Sequence, residues 1–369
     1  MVGKMTSTGV KTAIAMILVT MPIVFSNDKA PIPANKAQVN SWYQANVKPY
    51  GERKGTLDPA LVTAEASPKV IRVRKDGSGD FKTVTDAINS IPAGNTKRVI
   101  VSIGPGNYTE KIKIEATKPF VTLYGAPNAM PVLVYGGTAA KYGTVYSGTV
   151  IAESDYFSAV NIIFVNSAPR PTGQLNGAQA TAFAIAGDKA AIYNCKMIGF
   201  QDTHLDKKGR HFFKDCYIQG TCDFIFGNGK SIYLNTELHV HYLPGDGMAM
   251  ITAHARESSS GDTAFVFVHC SVTGTGNHTV LGRAWRPYSK VVYAYTEMSD
   301  AIKPEGWSHN FHPEFDKTLD YSEYKNSGPG SNPALRVPFS KQLSDADARP
   351  YLSLGFIEGS KWLLPPHKA

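Results

Sequence analysis

Six segments of this chain repeat one short design: a run of β-branched or aromatic residues, one polar residue, then a second short run. They are 159–164, 191–197, 212–218, 232–238, 267–272 and 292–298. Their polar members are Asn161, Asn194, Asp215, Asn235, His269 and Tyr295, so the steps are 33, 21, 20, 34 and 26 residues. A floor near 20 with longer steps is what a stacked coil gives when some coils carry loop insertions. The runs are too short for helices, and no leucine ladder marks a helix-containing repeat. The expected fold is therefore all-β: a single-stranded right-handed parallel β-helix with short capping helices, its insertions building a cleft on one face.

The ends read differently. An apolar run from Ala13 to Phe25 follows Lys4 and Lys11, with no acid in the stretch. It is shorter than the roughly 20 residues a membrane span needs, so residues 1–26 are expected to be a secretory signal. Residues 27–66 read as an N-terminal extension, polar and proline-containing to 55, then a short helix with Asp58 as N-cap and Pro59 in the first turn. Residues 67–369 form the β-helix domain, with a helix over 80–88 capping its N-terminal end. The Pro-, Gly- and aromatic-rich tail from Ser308 is expected to pack along the outside.

Charge narrows the partners. The chain of 369 residues carries a formal +8, which suits a polyanion. It has no basic cluster, so an acidic polysaccharide fits a secreted protein better than nucleic acid. Cys195, Cys216, Cys222 and Cys270 are too few for a disulfide scaffold and lack zinc-site spacing. Cys195 and Cys216 fall at the same place in the repeat, which fits either a bridge or two stacked small side chains. The histidines, His204, His211, His239, His241, His254 and His269 among them, show no spacing that demands a metal. Asn107-Tyr108-Thr109 and Asn277-His278-Thr279 are glycan acceptor triplets. Asp76–Thr83 looks like a phosphate loop but lacks its Gly-Lys-Ser/Thr ending, and its acids are too sparse for calcium.

Two aspartates carry the chemistry. Asp202, in Gly199-Phe200-Gln201-Asp202-Thr203, and Asp223, in Gly220-Thr221-Cys222-Asp223-Phe224, are 21 residues apart. That is one coil, so stacking sets the carboxylates side by side. Paired carboxylates with a glutamine alongside suit acid/base and nucleophilic work.

Together with Gly177-Ala178-Gln179-Ala180, Leu281-Gly282-Arg283-Ala284-Trp285 and Gly106–Glu110, these blocks resemble the plant pectin methylesterases from about Val73 to Leu364. The resemblance is to pollen-type members, since the stretch after the signal is too short for a helical inhibitor-like pro-domain. It implies a carboxylic ester hydrolase that demethylates homogalacturonan without metal or cofactor. It assigns Asp223 as nucleophile and Asp202 as general acid, then base. Gln179 and Gln201 would steady the oxyanion, and Arg283 would keep Asp223 ionised. It adds Thr144 and Trp285 as substrate contacts, Trp307 as a weaker second sugar platform, and a pectinesterase inhibitor protein as a partner. The expected state is a monomer acting in the cell wall, with no nucleic acid or membrane partner.

Each assignment has a structural rival: turn aspartates, a buried glutamine ladder, a stabilising Arg–acid pair and core tryptophans. Glu110 and Tyr108 read as structural. The chain departs from the family at Phe200, His204, Leu205, Cys222 and Ala284, changes that touch subsite shape and leave every catalytic group in place. The alternatives are a catalytically silent pectin-binding wall protein, or another pectin-active β-helix enzyme. A polygalacturonase needs its carboxylates about 6.5–9.5 Å apart, and a lyase needs calcium ligands that are not evident.

Overall fold

The computed structural model describes residues 1, 3, 28–171, 176–243, 247–274 and 276–368; the expected signal segment lies outside them. Three parallel sheets run the length of the molecule, one of eleven strands and two of eight. Sheet 1 runs from Lys69–Val73 to Ser340–Gln342, sheet 2 from Asn107–Thr109 to Glu297–Met298, and sheet 3 from Ile112–Ile114 to Trp307–Ser308. The chain visits sheets 1, 2 and 3 in turn and then steps up one coil, which makes a right-handed parallel β-helix.

The polar members of the repeat are the corners between sheets 1 and 2. Asn161, Asn194, Asp215, Asn235, His269 and Tyr295 all take positive φ, between 48° and 58°. A sharp corner needs a left-handed residue, and Asn and Asp tolerate that conformation best. Their side chains also stack: Asn194 Nδ2 donates to Asn161 Oδ1 at 2.8 Å, and Asn235 Nδ2 to Asp215 Oδ1 at 2.6 Å.

After five of the six corners the next residue is a buried Cys or Thr; after Asn161 it is the core residue Ile162. Cys195, Cys216 and Cys270 are free thiols that donate to the carbonyl two residues back, at 3.3, 3.5 and 3.7 Å. Thr236 and Thr296 make the same bond from a hydroxyl, at 3.4 and 3.3 Å. The equal spacing of Cys195 and Cys216 therefore reflects a ladder of small donors, and no bridge forms.

Inside the coil an aromatic column rises through sheet 1. Phe213, Tyr233, Phe267 and Tyr293 are register neighbours stacked at 4.3, 4.6 and 4.6 Å. Rings stacked at one coil's spacing bury large apolar area in a fixed geometry.

Sheet 1 is apolar on its outer face too, where both chain ends cover it. Ile32, Val39, Tyr43 and Val47, on and around the helix Val39–Asn46, are buried there beside Leu354, Ile357 and Trp362. Tyr43 stacks on Phe212 at 6.0 Å, and Tyr193 OH donates to Leu364 O at 2.6 Å. The proline-containing N-terminal stretch is thus a docked cover held by its larger apolar side chains, Ile32, Val39, Tyr43 and Val47. Within the tail, Asp320–Tyr324 and Ser340–Gln342 add two strands to the end of sheet 1, while the later stretch with Leu354, Ile357 and Trp362 packs on the outer face of that sheet.

The N-terminal cap is shorter than expected, Val84–Asn89, with Thr83 Oγ1 accepting from Asp86 N at 3.1 Å. Asp80 precedes it in a turn and accepts from Arg72 N at 2.7 Å. Glu110 is indeed structural: its carboxylate takes Val84 N, Thr85 N and Thr85 Oγ1 at 3.0, 2.7 and 2.5 Å, closing the cap's exposed N–H groups. The helix Pro59–Glu65 starts where expected, but Asp58 makes no capping bond. It accepts instead from Tyr156 OH at 2.9 Å and pairs with Lys189 at 2.8 Å.

Candidate active site

The corner between sheets 2 and 3 carries the paired aspartates. Asp202 lies between strands Lys196–Ile198 and His204–Asp206, and Asp223 between Tyr217–Gly220 and Ile225–Gly227. Their strands pair in register, His204 opposite Ile225, so the 21-residue spacing is one coil. Asp202 N donates to Cys222 O at 3.0 Å, tying the two corners together. Both residues take positive φ, 65° and 48°. Non-glycine residues held this way often mark functional turns.

Arg283, on the strand Thr279–Ala284 two strands along sheet 3, reaches back to Asp223. Its Nε donates to Asp223 Oδ1 at 2.7 Å and its Nη2 to Oδ2, a bidentate fork. Nη1 donates to Asn310 Oδ1 at 3.1 Å, and the guanidinium lies 5.3 Å from the Trp285 ring. Trp285 is half exposed, open to a ligand. Asn310 was not foreseen. It lies in the irregular tail, at φ 55°, where nothing in the local pattern signals a contact.

Both aspartates are about 95% removed from solvent, at 6% and 5% exposure. Burial pushes the Asp202 carboxyl well above the usual range, the negative charge of Asp223 adds to this, and Arg283 opposes it only partly. Burial pushes Asp223 up as well, but there the Arg283 fork pulls it part of the way back, so Asp223 stays raised by less than Asp202. Burial works against the Arg283 cation, yet its bonds to Asp223 more than offset this and raise its pKa. One shared charge therefore settles on Asp223 and one shared proton on Asp202.

Gln201 and Gln179 arrive from adjacent coils. Ala180 N donates to Gln201 O at 3.1 Å, and Gln179 O accepts from Ala139 N at 2.8 Å. Both glutamines are half buried. Gln201, Thr221, Cys222, Tyr242 and Met248 line a cleft of about 210 Å³ beside the aspartates. Thr144 is half buried in the insertion before it, its carbonyl accepting from Ser147 Oγ at 2.8 Å.

Trp307 is a correction. It is 2% exposed, stacks on Tyr321 at 4.4 Å and donates Nε1 to Glu323 at 3.1 Å, so it belongs to the core and offers no face to a sugar. Its pairing with Gly282 turns the indole inward. Among the departures, His204 and Ala284 are fully buried and Leu205 is 4% exposed, whereas Cys222 lines the cleft. Phe200 packs beside it, its ring 5.7 Å from the Arg170 guanidinium.

The fold and this corner define a class: a parallel β-helix with a buried carboxylate pair, one member chelated by arginine, and with half-buried glutamines on the same and the preceding coil. The chain belongs to the pectinesterase family, whose model matches residues 70–360. It is 59% identical over 363 residues to Pectinesterase 1 of Olea europaea, covering 98% of each chain. Its fold matches the pectin methylesterase from carrot with a TM-score of 0.75 at 28% identity, over 82% of this chain and 98% of that one. A pectin methylesterase solved in complex with a hexasaccharide matches at 0.69 and 26% identity, over 82% and 100%.

Proposed function

We propose that this chain hydrolyses the methyl esters of homogalacturonan, giving pectate and methanol through an acyl-enzyme on Asp223. The observation that carries the reading is the asymmetry of the pair: Arg283 chelates Asp223 and leaves the proton to Asp202. Asp223 attacks the ester carbonyl carbon, and the side-chain amides of Gln179 and Gln201 donate to the oxyanion that develops. Such a donor is typically worth about 3–4 kcal/mol. Asp202 then gives its proton to the departing methoxide, leaving an anhydride between Asp223 and the galacturonyl carbon. Asp202, now ionised, takes a proton from water, whose hydroxide attacks the acyl carbon and frees Asp223. The proton returned to Asp202 resets the pair. Trp285, beside Arg283 and half exposed, stacks on a sugar ring, and Thr144 contacts the polymer further along the groove.

Pectin as substrate agrees with the family and with the hexasaccharide held by the structural relative. The enzyme acts outside the cell, in the wall, as a monomer; residues 1–26 serve as its secretory signal. No helix among the described residues is long and apolar enough to cross a membrane. Asn107 and Asn277 are exposed and able to carry glycans. A proteinaceous inhibitor closing the cleft is its protein partner.

Methanol release from highly methylated pectin tests the reading, with Asp223→Ala and Asp202→Ala each checked for folding. Release by the wild type and its loss in both variants support it. A wild type that binds pectin yet frees no methanol from acidic to mildly alkaline pH overturns it in favour of a silent groove.

A further inference from the structure

We propose that Lys111, Lys141 and Tyr142 form a carboxylate-binding subsite at the N-terminal end of the groove, taking a de-esterified galacturonate of the chain whose ester is being cleaved. The polymer is that of the esterase reading, on which this rests. Lys111 occupies the corner between Asn107–Thr109 and Ile112–Ile114, the same angular position that Asp202 and Asp223 hold in later coils. In sheet 3 the strand after Lys111 is three steps from the strand after Asp202. At about 4.8 Å per step, Lys111 sits on the groove line roughly 14 Å from the acid, several sugars along a bound chain.

The gap is bridged by the four-residue helix Ala139–Tyr142. Ala139 N and Ala140 N donate to the carbonyls of Gln179 and Gly177, both at 2.8 Å, so the helix is anchored to the loop that carries Gln179. Gly177 packs so closely on Ala140 that a Cβ there would lie 2.8 Å from its backbone. On this support Lys111 Nζ stands 5.1 Å and Lys141 Nζ 5.2 Å from the centre of the Tyr142 ring. The Tyr142 hydroxyl shares a 2.8 Å hydrogen bond with Tyr135. Lys141 is exposed, and Lys111 and Tyr142 are half buried.

The positive charge here is not spent on neighbouring acids. Glu110, next to Lys111, is turned away to cap Val84–Asn89. Glu153 pairs with Lys113 at 3.1 Å. Among the described residues neither Lys111 nor Lys141 has an acid within ion-pair distance. Two ammonium groups gathered around one phenol suit an anion with a planar pair of oxygens. A free galacturonate supplies one, and its methyl ester is neutral and gains nothing from them. The enzyme then favours esters that have free acid several sugars away on this side, which extends existing acidic blocks.

The test compares wild type with the double variant Lys111→Gln/Lys141→Gln, matched for folding. Methanol release is measured on partly de-esterified and on fully methylated oligogalacturonides at low salt. The ratio of kcat/KM between the two substrates is expected to fall about 3–10-fold in the variant, as two partly exposed charge contacts allow. Raising salt should shrink the wild-type ratio toward that of the variant. An unchanged ratio overturns the subsite. Calorimetric binding of a fully de-esterified oligogalacturonate separates this from the reaction itself. If the wild type frees no methanol from either substrate, the esterase reading falls; weaker binding by the variant still supports the subsite, and equal binding refutes it.

Discussion

Replacing Asp206 with Asn probes a buried charge pair four residues beyond Asp202. His211 Nε2 lies 2.8 Å from Gly187 O, and His211 Nδ1 lies 2.6 Å from Asp206 Oδ1. A carbonyl and a carboxylate can only accept, so both ring nitrogens must donate and the imidazole is a cation. Tyr233 OH donates to Asp206 Oδ2 at 2.8 Å, and the backbone of Gly229 leaves the carboxylate the room that a Cβ would take. All of His211, Asp206 and Tyr233 are fully buried.

Breaking such a pair by removing one charge typically costs about 3–5 kcal/mol. At about 2.1 cal/mol/K per residue, a chain of this size loses about 4–7 °C of Tm for that change. The pH dependence follows from opposite shifts. Burial works against the His211 cation, but Asp206 and the Gly187 carbonyl raise its pKa overall. Its contribution is full below the unfolded value of about 6.5 and is lost as pH rises through the higher folded value. Burial would raise Asp206, but His211 holds it below the usual carboxylate range. Its contribution is full above about 3.9 and is lost as pH falls through the lower folded value. Guanidinium unfolding of wild type and Asp206→Asn at pH 5, 7 and 9 should show the largest gap at pH 5, narrowing toward alkaline pH. A loss below about 1 kcal/mol at pH 5, or a gap that does not narrow, would refute the imidazolium assignment.

Three further outcomes are expected. Arg283→Gln removes the fork that holds Asp223 down, so the acid limb of the pH–rate profile for methanol release should move to higher pH as kcat falls; an unmoved limb would contradict the assigned charge state. Trp307→Ala should cost about 3–5 kcal/mol in unfolding experiments, whereas Trp285→Ala should raise KM for pectin with stability within about 0.5 kcal/mol. Cys216→Thr should stay within about 1.5 kcal/mol of wild type, and reductant should not shift the unfolding of either protein, because a hydroxyl makes the same corner bond as the thiol.

The period in the repeat was legible because a β-helix uses the same corner on every coil. Asn161, Asn194, Asp215 and Asn235 announce left-handed corners by residue type alone, and the 21-residue step already stacks Asp202 on Asp223. Glu110 was legible as structural, though not what it caps. The histidines gave no ligand pattern, but nothing local revealed that His211 is a buried cation, since its counter-charge depends on how one coil closes.

Tertiary packing decided the rest. Trp285 and Trp307 look alike in sequence, and only the closing of the last coil puts one beside Arg283 at the surface and the other on Tyr321 in the core. The same holds for Asn310 and for the covers at both chain ends, whose few apolar residues follow no period. Local sequence determines corners and strands because backbone conformation depends on neighbours a few residues away. Which side of a wall a lone side chain occupies depends on partners brought from far along the chain, and a carboxylate's proton depends on the arginine that folding sets beside it.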